Sequence, residues 1–334
     1  MSMPPKIVMT SPVFPEVEAM LGAHARLVIN RDLEPWPTET VRTELADATA
    51  MLAFMPDRVD AELLAACPEL KIVACALKGY DNFDVDACTR AGVWLSIVPD
   101  LLTVPTAELA VALVLGLNRK ILAGDADVRS GTFRGWRATH YGLGLAGSTV
   151  GIFGFGKVGR AIAERLQGFG SRVLVHDLTP CEPAILDAFK VHQVGLDDLL
   201  AQSDVMVVAL PLAHNTLHLV DARLLARLKP GVHLVNVGRG SVVNEGAVAA
   251  ALESGQVGGY ATDVFELEDW AREDRPNAIS QAFLDARDRT LFTPHLGSAV
   301  RSVRLEIEQR AAANIIDVLN GRQPRDALNS PLRA

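Results

Sequence analysis

The most informative pattern in this sequence is Thr149-Val-Gly-Ile-Phe153-Gly154-Phe-Gly156-Lys157-Val158-Gly159. Its first five residues predict a buried strand, and a helical pattern follows directly. In such a strand–turn–helix, the first glycine permits a tight turn and the second lets the backbone approach a pyrophosphate. The third glycine lets the helix pack closely on the strand. The start of the helix then offers N–H groups and a partial positive charge to phosphates, which predicts a dinucleotide site.

The next strand supports this prediction and indicates which dinucleotide is bound. The segment Arg172–His176 reads as a strand and is followed by Asp177, where a carboxylate would accept hydrogen bonds from the adenosine ribose. A carboxylate there would repel a 2′-phosphate, and the next three residues offer no cation, so NAD is favoured over NADP. The alternative is a solvated strand end. Leu210-Pro211 closes a later strand and is interpreted as the adenine side of the site, or as a simple strand terminator.

Outward from this stretch, short apolar strands alternate with helical patterns along almost the whole chain. Such alternation is typical of parallel sheets covered by helices, so we expect an α/β fold with two Rossmann-like, doubly wound parallel-sheet domains and a cleft between them. We predict a substrate-binding domain from residues 1–100 and 299–334 and an NAD-binding domain from residues 101–298. The predicted strands are Lys6–Thr10, Arg26–Ile29, Met51–Phe54, Lys71–Ala74, Val93–Ser96, Thr149–Phe153, Arg172–His176, Val205–Leu210, His233–Asn236, Gly259–Thr262 and Thr290–Thr293.

Two helices carry further information. The run Leu109–Leu117 is apolar on every side, which predicts burial on every side, in an interdomain core, a subunit interface or both. Near the end of the chain, apolar residues recur at helical spacing from Ala299 to Asn320, and Gly321 ends the pattern. Because this helix follows the last strand of the second series, we expect it to return to the first domain.

Composition excludes several classes of protein. The chain has 334 residues and a net charge of -8, and only 5% of its residues are aromatic, which argues against nucleic-acid binding. The longest apolar run has nine residues, far fewer than the ~20 that span a bilayer, and no signal peptide is evident. The four cysteines lack metal-binding spacing and are interpreted as reduced thiols. We therefore expect a cytoplasmic protein with no metal, no nucleic acid and no membrane partner.

Three polar elements follow strand ends in the second series, where ligands bind in such sheets. They contain Arg239 between two glycines, Asp263 with Glu268, and Pro294-His295. Arginine binds oxyanions in a bidentate manner, and a histidine paired with a carboxylate suits acid–base chemistry because the carboxylate fixes the imidazole tautomer. A lone histidine would more often be structural. A histidine and a carboxylate that follow neighbouring strand ends in a nucleotide-binding sheet suit a His–Glu acid–base pair.

With the glycine turn and Asp177, these ordered elements resemble the D-isomer-specific 2-hydroxyacid dehydrogenases over nearly the whole chain. The resemblance implies catalysis by Arg239, Glu268 and His295, and a homodimer formed largely through the cofactor domain. It also implies that NAD contacts the glycine turn, including Lys157 and Val158, and Asp263. One departure is Asn244, where the family's arginine motif commonly continues with Asp-Glu, but asparagine still caps the following helix.

A closer resemblance is to the phosphite dehydrogenases within that family. It is carried by residues 54–60, residues 76–84, which read Ala-Leu-Lys-Gly-Tyr-Asp-Asn-Phe-Asp, residues 98–105, residues 264–270 and residues 298–308. Lys78 is unusual among generic family members, and a second cation beside Arg239 suits phosphite, which is a compact dianion. The resemblance implies these substrate-binding residues: Met55, Lys78, Gly79, Trp136, Tyr141, Arg239, Ser298 and Arg304.

Each of these substrate positions also has a simpler interpretation. Met55 could pack in a core, Trp136 and Tyr141 could cover the mouth of the cleft, and Lys78 and Arg304 could be solvated charges. The resemblance implies oxidation of phosphite by NAD⁺, with water attacking phosphorus, and either His295 or Arg239 activating the water. Two alternatives stay open: a D-2-hydroxyacid dehydrogenase or glyoxylate/hydroxypyruvate reductase, and an NAD-sensing binding protein.

Overall fold

The structure is a computed structural model, and it describes residues 4–331. Contacts divide the chain into two units. Unit 1 comprises the described residues up to Leu102, the short segment Trp270–Glu273, and the described residues from Ala299 onward. Unit 2 comprises Thr103–Asp269 and Asp274–Ser298. The first and last few residues of the predicted substrate domain lie outside the described residues.

Unit 1 contains a five-stranded sheet in the order β2-β1-β3-β4-β5, and all its strand pairs are parallel. Alternate residues of each strand point to opposite sides, so the sheet has a core on both sides. Its strands are β1 (Lys6–Met9), β2 (Arg26–Ile29), β3 (Ala50–Ala53), β4 (Ile72–Cys75) and β5 (Trp94–Ser96). The helices between them are α1 (Pro15–Gly22), α2 (Thr38–Leu45), α3 (Ala61–Ala65) and α4 (Val85–Arg90).

Unit 2 contains a seven-stranded parallel sheet in the order β12-β11-β10-β9-β6-β7-β8. Its helices are α5 (Thr103–Asn118), α6 (Ile121–Arg129), α7 (Lys157–Leu166), α8 (Pro183–Phe189), α9 (Leu196–Gln202), α10 (Ala222–Leu225), α11 (Glu245–Ser254) and α12 (Gln281–Asp285). Its strands are β6 (Thr149–Phe153), β7 (Arg172–His176), β8 (His192–Gln193), β9 (Val205–Val208), β10 (Val232–Asn236), β11 (Val257–Thr262) and β12 (Thr290–Phe292). Four 3₁₀ turns complete the units: Gln167–Phe169, Gly240–Val242, Glu266–Glu268 and Arg287–Arg289.

The predicted fold class is confirmed, because both sheets are parallel and helices connect their strands. The bounds of the predicted strands agree with the observed ones to within two residues, and those of β2, β6 and β7 are identical. The strand β9 ends at Val208 rather than at Leu210, since Ala209 and Leu210 already belong to the turn beside Gly154. The strand β8 was not predicted, because two residues are too short to show any periodicity.

The last helix, α13 (Arg301–Leu319), packs against α1 and β4 of unit 1. Its buried stripe includes Ile307, Ala311 and Ile315, which join the core on one side of the five-stranded sheet. The helix is capped by Asn320, and Gly321 adopts a positive φ of 73°. The apolar spacing therefore marked the side of the helix that enters this core.

In the single chain, residues 109–117 are not buried on every side, and burial of the remaining surface in a subunit interface stays a prediction. In α5, the side that packs on α7, β10 and β11 is buried, but Ala112 is exposed and Val104 is 50% exposed. The following helix α6 has no buried residue, and its Leu122 is 52% exposed. An apolar sequence predicts that a helix is buried, but it does not show which element covers each side. In the single chain, the exposed sides of α5 and of α6 have no cover.

Among the described residues, no helix combines the length and apolar character that crossing a membrane requires. All four cysteines are free thiols; Cys67, Cys75 and Cys88 are buried, and Cys181 is partly exposed.

Candidate active site

The glycine turn of unit 2 lies where the order of the strands reverses. The chain leaves β6 toward β7 on one side and later returns to β9 on the other, so β6 and β9 are neighbours with a crevice at their carboxyl ends. Gly154 has a φ of 100°, and a Cβ there would lie 2.7 Å from the carbonyl oxygen of Ala209. A Cβ on Gly159 would lie 2.1 Å from the carbonyl oxygen of Gly154. Both positions therefore require glycine.

Gly156 differs from the other two glycines, because a Cβ added to it would meet nothing within 4 Å. It is the N-cap of α7 and offers no side chain to the N–H groups of the first turn, which begins with Lys157 and Val158. Those N–H groups and the positive end of the helix dipole thus lie beside open space. This arrangement fits the pyrophosphate of a dinucleotide.

Asp177 lies one residue after β7 and directly beside the glycine turn. Its Oδ2 accepts a hydrogen bond of 2.8 Å from the N–H of Phe155, and its Oδ1 accepts one of 3.1 Å from the N–H of Thr179. The carboxylate is thereby fixed at the strand end where an adenosine ribose would hydrogen-bond.

A second loop meets this crevice from β9. The predicted adenine-side residues Leu210 and Pro211 follow that strand, and a Cβ on Gly238 would lie 2.3 Å from the carbonyl oxygen of Leu210. The loops after β6, β9 and β10 are therefore in close contact. The residues present fit a dinucleotide such as NAD.

The loop that carries Arg239 is held by a residue that the sequence analysis did not single out. Asn236 ends β10, and its Oδ1 accepts the N–H of Gly238 at 3.0 Å. Its Nδ2 donates to the carbonyl of Arg239 at 3.0 Å. The half-buried Arg239 side chain donates to the carbonyl of Gly238 at 3.1 Å. An asparagine at a strand end, three residues before an arginine, was the signal that could have revealed this role.

His295 and Glu268 form the predicted pair. Nδ1 of His295 lies 2.6 Å from Oε2 of Glu268, and the two side chains are 28% and 23% exposed. Because a carboxylate accepts, Nδ1 carries the proton and Nε2 is left to interact with a substrate. The other oxygen of Glu268 accepts the N–H of Phe265 at 2.8 Å, which fixes the carboxylate from behind. The geometry is that of an oriented acid–base group.

Asp263 organises the turn that carries His295. Its carboxylate accepts hydrogen bonds from Thr293 Oγ1 at 2.6 Å and from the N–H groups of Leu296 and Gly297 at 2.6 and 2.8 Å. Its main-chain carbonyl accepts the N–H of His295, which has a φ of 56°. Burial raises the pKa of the Asp263 carboxyl. Sequence analysis missed this structural role, and the predicted contact of Asp263 with the cofactor stays a prediction.

In unit 1, four predicted substrate residues come together at the carboxyl ends of neighbouring strands. Met55 follows β3, and Lys78 and Gly79 follow β4, which pairs with β3. Arg304 of α13 donates to the carbonyl of Ala76 at 3.1 Å, so its guanidinium lies at the start of the same loop. All four residues are partly buried. Two cationic side chains are thus placed at one end of this sheet.

Arg304 is also part of a buried ion pair. Its Nη2 lies 3.5 Å from Oε1 of Glu308, whose Oε2 accepts the N–H of Phe14 at 3.2 Å. Burial lowers the pKa of the Arg304 guanidinium and raises the pKa of the Glu308 carboxyl. The interpretation of Arg304 as a solvated helix charge was therefore wrong, since its side chain is only 23% exposed.

Asn82 links two of these loops, although the sequence analysis gave it no role. Its Nδ2 donates to the carbonyl of Met55 at 3.0 Å, and its Oδ1 accepts the N–H of Ala271 at 3.1 Å. Its side chain is buried, so it fixes the loop after β3 relative to the loop after β4.

Three predicted substrate residues in unit 2 have different surroundings. Ser298 is partly buried and directly follows Gly297 in the turn held by Asp263. Trp136 and Tyr141, in contrast, follow α6 and are 85% and 72% exposed. The single chain therefore leaves both aromatic side chains in solvent rather than packed with Arg239 and His295.

Comparison with known proteins gives a consistent result. Residues 111–297 match the NAD-binding domain of the D-isomer-specific 2-hydroxyacid dehydrogenases. The chain is 34% identical over 332 residues to a glyoxylate reductase from Thermococcus onnurineus, covering 98% of this chain and 96% of that protein.

Solved structures show the same architecture. A protein from Thermus thermophilus superposes with a TM-score of 0.88 at 29% identity, covering 97% of this chain and 100% of that one. An NADPH-dependent glyoxylate/hydroxypyruvate reductase from Sinorhizobium meliloti, solved with NADP and malonate, gives a TM-score of 0.84 at 28% identity and covers 99% of each chain.

Proposed function

This chain belongs to the D-isomer-specific 2-hydroxyacid dehydrogenase family and is an NAD-dependent oxidoreductase, and from that premise we propose that it oxidises phosphite to phosphate. The observation that carries the proposal is the pair of cations at the loop after β4. Lys78 is in that loop, and Arg304 of α13 donates to the carbonyl of Ala76 at the start of the loop. A small dianion without an apolar tail is the substrate that such a set suits best.

The proposed chemistry assigns a task to each group. Lys78, Arg304 and Arg239 bind the oxygens of phosphite, and Glu268 holds His295 with Nε2 available. Bound NAD⁺ supplies the hydride acceptor. Water forms a new P–O bond as the P–H bond breaks, phosphorus loses two electrons with the hydride, and His295 takes a proton from the water. The products are phosphate, NADH and a proton.

His295 is the better candidate for the base than Arg239. Its ring is oriented by a carboxylate at 2.6 Å, whereas a guanidinium stays protonated in proteins and cannot accept a proton. Arg239 can still orient the water while it binds the substrate.

A second candidate function is the reduction of glyoxylate or hydroxypyruvate by NADH. It is favoured by the relatives, since the curated glyoxylate reductase is 34% identical over almost its whole length. In that reaction Arg239 would bind the carboxylate of the 2-oxo acid, and His295 would donate a proton to the oxygen that becomes a hydroxyl. The relatives' names support this candidate and not phosphite; Lys78 favours phosphite.

A substrate panel with the purified protein separates the two candidates. NADH absorbance is followed with NAD⁺ and phosphite, and in the reverse sense with glyoxylate or hydroxypyruvate. We expect NADH formation with phosphite, and competitive inhibition by sulfite, a similar oxyanion with no hydride to transfer. If the protein reduces glyoxylate or hydroxypyruvate well and leaves phosphite unchanged, the second candidate replaces the first. The His295→Asn variant controls for contaminating dehydrogenases.

We also propose that the protein is a homodimer formed through the region of α5, extended by α6. The exposed apolar side chains Val104, Ile121, Leu122 and Val128 are each 50–56% exposed and need a cover. Sedimentation at micromolar concentration is expected to show a dimer that Leu122→Glu dissociates. The matched control is Leu33→Glu, which changes a 93% exposed leucine of unit 1. A wild-type monomer would contradict the proposal.

A further inference from the structure

Three carboxylates that the proposed chemistry does not use are buried in the Glu266–Glu268 turn or directly beside it. Glu245, Glu266 and Asp269 are only 6%, 7% and 3% exposed. Glu245 begins α11, Glu266 begins the 3₁₀ turn that contains Glu268, and Asp269 directly follows that turn. Buried carboxylates are costly unless they are well hydrogen-bonded, so their contacts indicate why they are retained.

Glu245 and Glu266 bind each other's backbone. The N–H of Glu245 donates to Oε1 of Glu266 at 2.8 Å, and the N–H of Glu266 donates to Oε1 of Glu245 at 2.8 Å. Each side chain therefore satisfies an N–H at the start of the other's helix or turn. This reciprocal pair ties the 3₁₀ turn to the beginning of α11.

His218 contacts the second carboxylate oxygen of Glu266. Its Nε2 lies 2.8 Å from Oε2 of Glu266, and its N–H donates to the carbonyl of Ser241 at 2.7 Å. His218 has a φ of 49°, a conformation that a non-glycine residue adopts only when its surroundings hold it there. It thus connects the Glu266 turn with the segment that follows Arg239.

Two more contacts join the same segments. Oδ2 of Asp269 accepts the N–H of Ser241 at 2.7 Å. A Cβ on Gly240 would lie 2.1 Å from the carbonyl oxygen of Phe265, so the backbones on either side are in direct contact. The loop that carries Arg239 and the turn that carries Glu268 are therefore held together by hydrogen bonds and by packing.

We propose that Glu266, held by Glu245 and His218, is a positioning residue that fixes the turn of Glu268 against the Arg239 loop. Without its side chain, the turn that presents Glu268 loses the hydrogen bond from the N–H of Glu245 and the contact with His218, and of the reciprocal pair it keeps only the bond from its own N–H to Glu245. The hydrogen bond between Glu268 and His295 then loosens. The inference rests on the proposed acid–base role of His295. It concerns the orientation of the pair rather than the identity of the substrate.

The charge balance of the cluster is consistent with this role. Burial, together with the neighbouring carboxylates of Glu266, Asp269 and Glu268, raises the pKa of the Glu245 carboxyl to about 7. Near neutral pH the cluster therefore holds a proton in a substantial fraction of molecules, which reduces repulsion among its carboxylates.

The test compares Glu266→Ala with Glu266→Gln in the full-length protein. Alanine removes the side-chain contacts with Glu245 and His218, whereas glutamine keeps one acceptor for the N–H of Glu245. Glu268→Gln is the reference variant, because it weakens the hydrogen bond between Glu268 and His295 directly. The matched control is Asp204→Ala, which removes a carboxylate that accepts the N–H of Thr149 at 2.8 Å at the other end of the same sheet.

The first readout needs no substrate. The proton shared between Nδ1 of His295 and Glu268 gives a downfield proton NMR signal, assigned by its loss in His295→Asn. We expect Glu266→Ala to abolish or broaden this signal, Glu266→Gln to weaken it, and Asp204→Ala to leave it unchanged. NADH binding, followed by fluorescence, stays within about twofold in all of them.

The second readout is turnover with whichever small anion the wild type uses. Glu266→Ala is expected to lower kcat by about 10- to 100-fold with little change in KM, and Glu266→Gln is expected to keep most of the wild-type kcat.

An unchanged NMR signal and kcat in Glu266→Ala would overturn the proposal. If the alanine variant does not fold, the same comparison is made with Glu266→Gln and His218→Gln, and an intact signal in both also overturns it. If the NMR signal is lost in Glu266→Ala and the wild type turns over neither candidate substrate, the positioning role is supported and the proposed function is contradicted.

Discussion

The two parallel sheets reverse their strand order in the same way, yet they use the reversal point differently. In unit 2, the crevice between β6 and β9 is lined by Gly154 and by the open N-terminus of α7. In unit 1, the equivalent place between β1 and β3 is occupied by the side chain of Asp57. Asp57 accepts hydrogen bonds from Thr10 Oγ1 at 2.5 Å and from the N–H of Phe54 at 2.7 Å.

The difference shows that topology provides a crevice and that local residues decide what it holds. Glycines leave backbone N–H groups accessible to a phosphate, whereas a buried carboxylate fills the space and satisfies the backbone itself. The substrate-binding residue that we propose in unit 1, Lys78, follows the next strand, β4. Substitutions at the strand ends of unit 2 should therefore affect turnover or cofactor use, and those of unit 1 should affect substrate binding or stability.

The largest effect is expected from His295→Asn in unit 2. Loss of the proton acceptor should lower kcat by about 10²- to 10⁴-fold while NAD binding is retained. Steady-state kinetics and NADH fluorescence measure the two quantities. His192→Asn, a change to an exposed histidine of the same unit, is the control. Near-normal turnover in His295→Asn would remove this residue from the mechanism.

The next effect is expected from Lys78→Ala in unit 1. Loss of a charge-assisted contact should raise KM for the anionic substrate by about 10- to 100-fold, with a smaller change in kcat and unchanged NAD affinity. An added small alkylamine should restore part of the activity. The control is Lys71→Ala, an exposed lysine directly before the same strand. If Lys78→Ala changed only the affinity for NAD, the assignment of substrate binding to unit 1 and of cofactor binding to unit 2 would be contradicted.

A smaller effect is expected from Asp177→Ala in unit 2. Removal of the carboxylate should improve kcat/KM with NADP⁺ by about tenfold, because a like charge no longer faces the 2′-phosphate. Asp187→Ala, an exposed acid of α8, should leave the ratio of the two cofactors unchanged. Equal wild-type efficiency with NAD⁺ and NADP⁺ would show that Asp177 does not select between them.

The smallest effect on activity is expected from Asp57→Asn, which keeps an acceptor but cannot ionise. Burial raises the pKa of Asp57 from 3.8 to about 6. Between these values the native state holds a proton that the unfolded chain has released, so wild-type stability falls as pH rises from about 4 to about 6. The variant should lack this pH-dependent part of the free energy of unfolding, which is on the order of 2–3 kcal/mol.

Thermal unfolding of both proteins across this pH range measures the difference. Asp32→Asn, which changes an exposed carboxylate of unit 1, should parallel the wild type. Identical pH dependence in wild type and Asp57→Asn would show that Asp57 titrates normally.

Strand–helix alternation was sufficient to predict the fold class, because apolar strands and glycine punctuation are local signals. The turn at Gly154 could be predicted for the same reason, since its glycines and the helix behind them are consecutive in sequence. The edge strand β8 could not be predicted, because two residues carry no period. Exposure of Ala112 within an apolar helix was also not predictable, since it depends on which neighbours are present.

The site was predictable to the extent that its residues follow strand ends. His295 and Glu268 lie 27 residues apart, yet their places after strand ends, together with the family resemblance, predicted that they pair, and the structure brings them to 2.6 Å. The supporting hydrogen bonds of Asn236, Asp263 and Glu266 could not be predicted, because each depends on side-chain directions set by packing. Trp136 was assigned by resemblance alone, and the single chain leaves it 85% exposed.

The left-handed backbone of His295, at a φ of 56°, bears on how this protein would respond to selection for heat resistance. A non-glycine side chain in that conformation costs on the order of 1 kcal/mol, which glycine would recover. Glycine would also remove the 2.6 Å hydrogen bond between His295 and Glu268, which is worth on the order of 1 kcal/mol, so the substitution would bring little net stability. Selection for thermal survival alone would therefore neither favour nor protect this histidine, and an engineering screen must score turnover in the same round to keep the imidazole.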